Sequence, residues 1–270
     1  MTLQILYEDT ALIFVDKPSG LVVQRRMSEP DEPCLHDLVQ QHTSPAFLLQ
    51  RLDRGTSGVI FFSKLAAANA RITRQFQRKR IRKTYLAICD GELAERRTID
   101  APIARVGAIT FAVRDHGQRA VTHVEPIAPS PAGSLVAIVL ETGRTHQIRV
   151  HLSAIGHPVA GDWLYGTPSA ARPMLHAAAL AMRHPLTGQP LRVEAPAPDD
   201  FREEAHRRGL AFPVLLGEQA QEIGEADDGD AFEALQLQEM PIAGDDHIRL
   251  RVEGALQDAV VGVVLHHPQP

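Results

Sequence analysis

One acidic residue is distinguished by its neighbours. Asp53 lies in a Gly- and Ser-containing segment at residues 50–58. Arg51 and Arg54 flank it, and no other acidic residue follows before Asp90. Carboxylates in such loops commonly cap turns. The adjacent cations, however, favour an ionised carboxylate, which suits a nucleophile or a base better than an acid. The pattern predicts a catalytic Asp53, with a turn-capping residue as the alternative.

A second segment, residues 71–83, contains seven basic residues and no acidic one. They are Arg71, Arg74, Arg78, Lys79, Arg80, Arg82 and Lys83. The first three are spaced i, i+3 and i+7, so they share one face of a helix. Exposed helix faces usually mix charge signs, and an unmixed stripe favours contact with a phosphate backbone. An ordinary solvated face is the alternative.

A third segment, residues 141–158, combines arginine with histidine. We predict a helix here that begins with Thr145 as its N-cap and runs to Ile155. On this helix His146 and Arg149 are three residues apart and face the same side. The face expected to pack against the core consists of Ile148, Leu152 and Ile155.

The 13 histidines raise the question of a metal site. His146 and His151 are five residues apart, which is about 140° around a helix, so they cannot share a metal as an i, i+4 pair would. No Cys or acidic residue at ligand spacing accompanies them. Ser57 lacks the strand-to-helix turn of serine hydrolases, and no glycine-rich phosphate loop occurs. We therefore expect no metal and no cofactor.

The rest of the sequence predicts the scaffold that positions these residues. Residues 3–7 and 11–16 are typical of a β-hairpin. Further strands are predicted at 21–23, 58–63, 84–89, 135–141, 175–182 and 191–194, and helices at 35–42 and about 65–79. Since strands outnumber helices and short turns join many of them, we expect an α+β fold. It would contain a mixed, mainly antiparallel sheet with flanking helices.

Charge is divided unevenly along the 270 residues. The formal net charge of −5 argues, for the whole chain, against a nucleic-acid partner. Residues 217–270, however, hold 12 acidic and two basic residues, so the remainder is net positive. We predict a basic domain at 1–216 and an acidic C-terminal tail or small module at 217–270. Within the latter, a helix at 231–240 and strands at 248–252 and 259–265 are predicted.

Several features bear on the cellular compartment. Cys34 and Cys89 are too few for a disulfide framework, which favours a reducing environment. The apolar run at 259–265 is too short to span a bilayer, and residues 1–15 lack the basic start of a signal peptide. We expect a cytoplasmic, monomeric protein without a membrane partner.

Five segments of the chain form a further pattern. In chain order they are the hairpin with residues 16–21, the loop 51–58, residues 83–88, residues 143–152 with 156–166, and residues 175–177 with 184–188. These segments resemble motifs of the RluA-type pseudouridine synthases. Together they span about residues 3–203. The resemblance implies a mixed sheet with a central RNA-binding cleft. It also implies cofactor-free, site-specific isomerisation of uridine to pseudouridine in structured RNA, either ribosomal or transfer RNA.

The same resemblance implies roles for individual residues. Asp53 would be the catalytic aspartate, which attacks a flipped uridine at the base or the sugar. Arg149 would pair with Asp53 and keep it ionised. Tyr85 would lie on the target base and assist proton removal from C5, and Arg51 would enter the helix stack where the base had been. The other expected RNA contacts are Arg54, Arg71, Arg74, Arg78, Lys83, Arg144 and His146.

The sequence departs from the family pattern in three ways. Gln50 stands where the family often has His, no S4-like module precedes the opening hairpin, and the segment 217–270 matches no part of the pattern. One alternative is an RNA-binding or chaperone-like protein that has lost activity, which the presence of Asp53, Tyr85 and Arg149 disfavours. Another, a glycosidic enzyme on the same scaffold, would need a second carboxylate near Asp53.

Overall fold

The structure is a computed structural model that describes residues 2–25, 29, 31–212, 238–240 and 249–251. The chain divides into two units, residues 1–212 and 213–270. Among the described residues, no helix is long and apolar enough to cross a membrane. The predicted boundary after residue 216 stays a prediction, because it falls outside the described ranges.

The described part of the first unit contains four helices and twelve strands. The helices are α1 (Leu35–His42), α2 (Ala66–Gln77), α3 (Gln147–Ala154) and α4 (Asp199–Arg207). The first six strands are β1 (Gln4–Glu8), β2 (Leu12–Lys17), β3 (Phe47–Leu48), β4 (Ser57–Ser63), β5 (Arg82–Cys89) and β6 (Arg97–Asp100). The others are β7 (Ile103–Arg105), β8 (Phe111–Val113), β9 (Val121–Ser130), β10 (Gly133–Leu140), β11 (Leu175–Arg183) and β12 (Pro190–Glu194).

Ten of these strands form one sheet in the order β1-β2-β4-β11-β5-β10-β9-β6, with β3 paired to β4 and β12 paired to β11. Neighbouring strands are antiparallel except β4 and β11, which run parallel with Ser57 opposite His176. Strands β7 and β8 form a separate hairpin. The expected α+β fold with a mixed, mainly antiparallel sheet is confirmed.

The centre of the sheet is buried on both faces. Successive side chains of a strand point to opposite faces, so the apolar runs of β2 and β4 supply two cores. One core contains Phe14, Phe61, Ile72 of α2 and Leu152 of α3. The other contains Ile13, Val15, Ile60, Phe62 and Val39 of α1. All seven residues of β4 are buried, so the loop before β4 starts from a fixed strand.

Two sequence-based predictions in this unit are wrong. Residues 21–23 form no strand, and Val22 makes only an isolated bridge to Cys34. Helix α3 begins at Gln147, and Thr145 is not its N-cap, because His146 has a left-handed φ of 57° that no helix accommodates. Strands β3 and β6–β9 and helix α4 were not predicted.

In the second unit, strand β13 (Gln238–Met240) pairs antiparallel with strand β14 (Arg249–Arg251). The predicted helix over 231–240 is therefore wrong at its C-terminal end, and residues 231–237 lie outside the described residues. The strand predicted at 248–252 is present as β14. The strand predicted at 259–265 lies outside the described residues.

Candidate active site

The loop before β4 carries Asp53, and hydrogen bonds to its backbone hold it in place. The Arg54 carbonyl accepts the Gly20 N–H at 2.8 Å and the Lys17 ammonium at 3.1 Å. Within the loop, the Thr56 N–H donates to the Asp53 carbonyl at 3.1 Å. The Asp53 side chain itself remains 28% exposed. The loop therefore presents an accessible carboxylate on a fixed backbone.

Lys17 binds the backbone of this loop through its side chain. Its side chain is fully buried, and Nζ donates to the carbonyls of Pro18 (2.9 Å), Leu21 (2.8 Å) and Arg54. Burial lowers the pKa of Lys17 to about 7, with the charge of Asp53 acting in the opposite direction. The three carbonyl acceptors match the three N–H donors of the ammonium form. Lys17 thus ties the opening hairpin to the Asp53 loop.

The end of the loop approaches β11 so closely that a glycine is required. Gly58 has φ of 109°, and a Cβ at this position would overlap the Ala177 carbonyl oxygen. The Gly55 carbonyl accepts the Ser19 hydroxyl at 2.8 Å, which adds another tie to the hairpin. The glycines in this segment therefore serve the close packing of the loop.

Arg149, on α3, joins two carboxylates. Its Nη1 lies 3.1 Å from Asp53 Oδ2, while Nε and Nη2 bind Asp162 Oδ2 and Oδ1 at 2.6 and 2.7 Å. Burial lowers the pKa of Arg149, but hydrogen bonds and charge from Asp162, together with Asp53, more than offset it, so that the pKa is raised. Arg149 thus stays positively charged, and the two oxygens of Asp162 fix the orientation of its guanidinium group.

Sequence reasoning assigned no role to Asp162, whose side chain is completely buried. It is the only acidic residue between Glu141 and Glu194, and this isolation was the available signal. Besides binding Arg149, Asp162 Oδ1 accepts the N–H groups of Leu164 (3.0 Å) and Tyr165 (3.2 Å). Asp162 therefore fixes both the arginine and the turn that follows it.

His146 lies beside Asp53 for a reason other than the predicted helix face. Its left-handed backbone, uncommon for a residue with a side chain, precedes α3, and Nε2 lies 3.8 Å from Asp53 Oδ2. His146 Nδ1 is 2.7 Å from the Tyr165 hydroxyl, which accepts the Phe111 N–H at 3.0 Å. The hydroxyl hydrogen can donate to Nδ1, and in that tautomer the ring proton lies on Nε2, facing Asp53. Burial lowers the pKa of His146 and so favours this neutral form.

Tyr85 contributes an aromatic ring to the same centre. It lies on β5 opposite Ala177 of β11 and Ile138 of β10, and it is 8% exposed. Burial, and secondarily the negative charge of Asp53, raise the pKa of Tyr85. The side chain is accordingly a neutral phenol at neutral pH. The structure thus joins Asp53 to Arg149 directly, and it places Tyr85 two strands from Gly58, at the end of the Asp53 loop, within the electrostatic influence of Asp53. The catalytic roles of these three residues stay predictions.

Comparison with known proteins identifies the family. Residues 11–154, more than half of the chain, match the family described as RNA pseudouridylate synthase. The chain belongs to this family. The ribosomal large subunit pseudouridine synthase D of Nitrosomonas europaea is 39% identical over 74% of this chain and 63% of its own length. The protein of the same name from Xanthomonas campestris pv. campestris is 36% identical over 74% of this chain and 67% of its own length.

A solved structure agrees with this assignment at the level of the fold. The human RNA pseudouridylate synthase domain containing 4 superposes with a TM-score of 0.66 at 23% identity, covering 78% of this chain and 94% of that one. The chain spans 63% of the length of the Nitrosomonas relative, less than two thirds.

The cations predicted to bind RNA lie in different settings. Arg51 and Arg54 are exposed on the Asp53 loop, where Arg54 also pairs with Glu32 at 3.0 Å. Lys83 is partly exposed, and burial lowers its pKa. Arg144 is exposed and donates through Nε to the Arg119 carbonyl at 3.0 Å. A cleft of about 340 Å³ beside Arg144 is lined by Arg105, Phe111, His116, Gly117 and Thr145.

The basic stripe on α2 is partly engaged within the fold. Arg71 donates to the Pro185 carbonyl at 2.8 Å, and Arg74 donates to the Ala70 carbonyl of its own helix at 3.3 Å. Arg78 is the exposed C-cap. Among the described residues, no group of three or more His, Cys, Asp or Glu side chains is placed to hold a metal ion.

Proposed function

We propose that this protein isomerises uridine to pseudouridine in structured ribosomal RNA, with Asp53 as the catalytic residue. One observation carries the proposal: in a chain of this family, the accessible Asp53 carboxylate lies 3.1 Å from the buried Arg149 guanidinium. The names of the Nitrosomonas and Xanthomonas relatives favour ribosomal over transfer RNA. The proposal includes a monomer that acts in the cytoplasm.

The reaction is balanced without a second substrate. The glycosidic bond between N1 and C1′ breaks and a bond between C5 and C1′ forms. The proton at C5 leaves, and N1 gains one. The Asp53 carboxylate supplies the nucleophile, at C1′ or at C6. Arg149, held by Asp162, keeps the carboxylate oriented while the uracil detaches and turns.

The target uridine must leave the stack before Asp53 can reach it, and this extrusion costs a few kcal/mol. The ring of Tyr85 offers the flipped base an aromatic surface, and its neutral phenol can donate a hydrogen bond. Arg51 is exposed on the same loop and can fill the gap left in the RNA. Phosphate contacts from the surrounding cations offset the cost of flipping.

Tritium release tests the proposal, since conversion of C5-tritiated uridine expels the label. The substrate is total RNA from a strain deleted for this gene and grown with the labelled nucleoside. We expect release by the wild type and a loss of at least about 10³-fold in Asp53→Asn, with RNA binding nearly unchanged. Asp115→Asn, at an exposed site on the surface, is the matched control. Turnover by Asp53→Asn would refute the aspartate assignment, and a wild type without release would favour a binding-only protein.

A further inference from the structure

Trp163 is an exposed aromatic residue close to the reacting group. It is the only tryptophan of the chain, and 62% of its surface is exposed. Isolated exposed apolar residues are ordinary on protein surfaces. Trp163 is unusual in its position, because it directly follows Asp162, the buried partner of Arg149.

The turn that carries Trp163 is fixed by Asp162 and not by the indole. The Asp162 side chain accepts the N–H groups of Leu164 and Tyr165, and the Asp162 carbonyl accepts the Gly166 N–H at 2.8 Å. None of these bonds uses the Trp163 side chain. The backbone of this turn is therefore held without a hydrogen bond from the indole.

The indole contacts the two sides of the reacting centre. The Arg149 guanidinium carbon lies 5.9 Å from the centre of the indole, within the range of a cation–π interaction. A Cβ at Gly55 would lie 3.7 Å from Trp163 Cη2, so the far edge of the indole packs against the Asp53 loop. Trp163 is therefore adjacent to both Arg149 and the loop that carries Asp53, and most of its surface stays accessible.

The surroundings define the chemistry of a matching ligand. Arg51 and Arg54 are exposed on the adjoining loop, so the open indole surface has cations nearby. An apolar protein partner would be poorly matched by these charges. A polynucleotide supplies both a planar base for the indole and phosphates for the arginines. The ligand class that fits Trp163 is therefore an unstacked nucleobase within an RNA strand.

We propose that Trp163 stacks on a nucleobase of the RNA next to the uridine that enters the Asp53 site. This inference rests on the proposed function. Trp163 is then a binding residue, which contributes to the affinity for RNA and takes no part in bond making. Its contribution requires the π face of the ring and not merely an apolar side chain.

The test compares Trp163→Leu with Trp163→Phe in single-turnover tritium release from the labelled total RNA of the deletion strain. Leu keeps an apolar side chain without a π face, and Phe keeps a smaller ring. For Trp163→Leu we expect the enzyme concentration at half-maximal rate to rise about tenfold, the effect of losing one base–aromatic stack. The maximal rate should stay within about twofold of the wild type, and Trp163→Phe should recover most of the affinity.

A second measurement uses the single tryptophan as its own probe. In the inactive Asp53→Asn variant, the same RNA should quench the fluorescence of Trp163. Unchanged fluorescence at saturating RNA, or a Trp163→Leu variant with wild-type affinity, overturns the proposal. A fall in the maximal rate alone also overturns it, because it would show that Trp163 acts through Arg149. If the wild type releases no tritium, the proposed function fails, and quenching together with the RNA affinity of Trp163→Leu still decides the stacking proposal.

Discussion

The centre of the site and the basic face of α2 differ in how their charges are used. At the centre, charged groups bind one another: Arg149 lies between Asp53 and the buried Asp162. On α2, Arg71 and Arg74 donate to backbone carbonyls at a largely exposed surface. A buried cation depends on its partner, whereas an exposed one is screened by water and salt. Substitutions at the centre should therefore have large, local effects, and those on α2 small effects that depend on salt.

The largest effect on stability is expected for Asp162→Asn. Asn keeps an acceptor for the N–H groups of Leu164 and Tyr165 but leaves the buried Arg149 with Asp53 as its remaining carboxylate partner. Breaking a buried ion pair by removing one partner costs about 3–5 kcal/mol. Urea unfolding of the full chain measures this loss. The control is Asp199→Asn, whose side chain is 81% exposed and pairs with Arg202, and which should change stability by less than about 1 kcal/mol. Equal losses of stability in the two variants would show that burial of an ion pair does not determine how much it stabilises the protein.

Asp162 also shows where sequence reasoning fails. Strand and helix predictions used local periodicity, which is why α1 and the buried strand β4 were found within a residue of their bounds. The pairing of Asp162 with Arg149, 13 residues away, and of Arg149 with Asp53, 96 residues away, depends on the tertiary fold. The resemblance implied the second pair, and no local pattern implied the first.

Short or strained elements were missed for a related reason. Strands β7 and β8 have three residues each, too few to show an alternation of polar and apolar side chains. Because His146 has a left-handed conformation, helix α3 begins later than predicted. This conformation is stabilised by contacts with Tyr165 and Asp53, which lie outside its own segment. The sequence correctly predicted that His146 lies near Arg149, but for the wrong reason, because His146 precedes α3 and is not on one of its faces.

The pH dependence of stability tests whether His176, which is buried beside Ser57 at the start of β4, stays neutral in the folded protein. His176 Nε2 donates to the Ala195 carbonyl at 3.0 Å, and Nδ1 accepts the Ser57 hydroxyl at 3.0 Å. Burial lowers the pKa of His176 to about 4, and Arg172 also lowers it, while the Ala195 carbonyl and Asp200 raise it. Between pH 6.5 and 4 the unfolded chain therefore binds a proton that the folded chain does not, and stability falls as the pH falls.

Between pH 6.5 and pH 4, His176 lowers the free energy of unfolding by about 3 kcal/mol. Unfolding curves from pH 7 to pH 4 should show a shallower decline for His176→Gln than for the wild type, although the variant starts from a lower stability. The exposed His116→Gln is the control and should keep the wild-type slope. If His176→Gln also keeps that slope, the buried His176 is not the group that takes up the proton on unfolding.

The smallest effects are expected on α2, where two arginines on one helix face separate two uses of charge. Within the described part of the chain, Arg74 bonds only to its own helix, so Arg74→Gln should leave stability unchanged. If it contacts a phosphate, the slope of log affinity for RNA against log salt should become shallower by about 1. Arg71 is bound to the Pro185 carbonyl, so Arg71→Gln should instead lower the free energy of unfolding by about 1 kcal/mol.

A wild-type salt slope in Arg74→Gln would remove this face of α2 from the RNA-binding surface, and the unmixed charge of the helix would then be an ordinary solvated face. A shallower slope in both variants would show that Arg71 gives up its carbonyl for a phosphate when RNA binds.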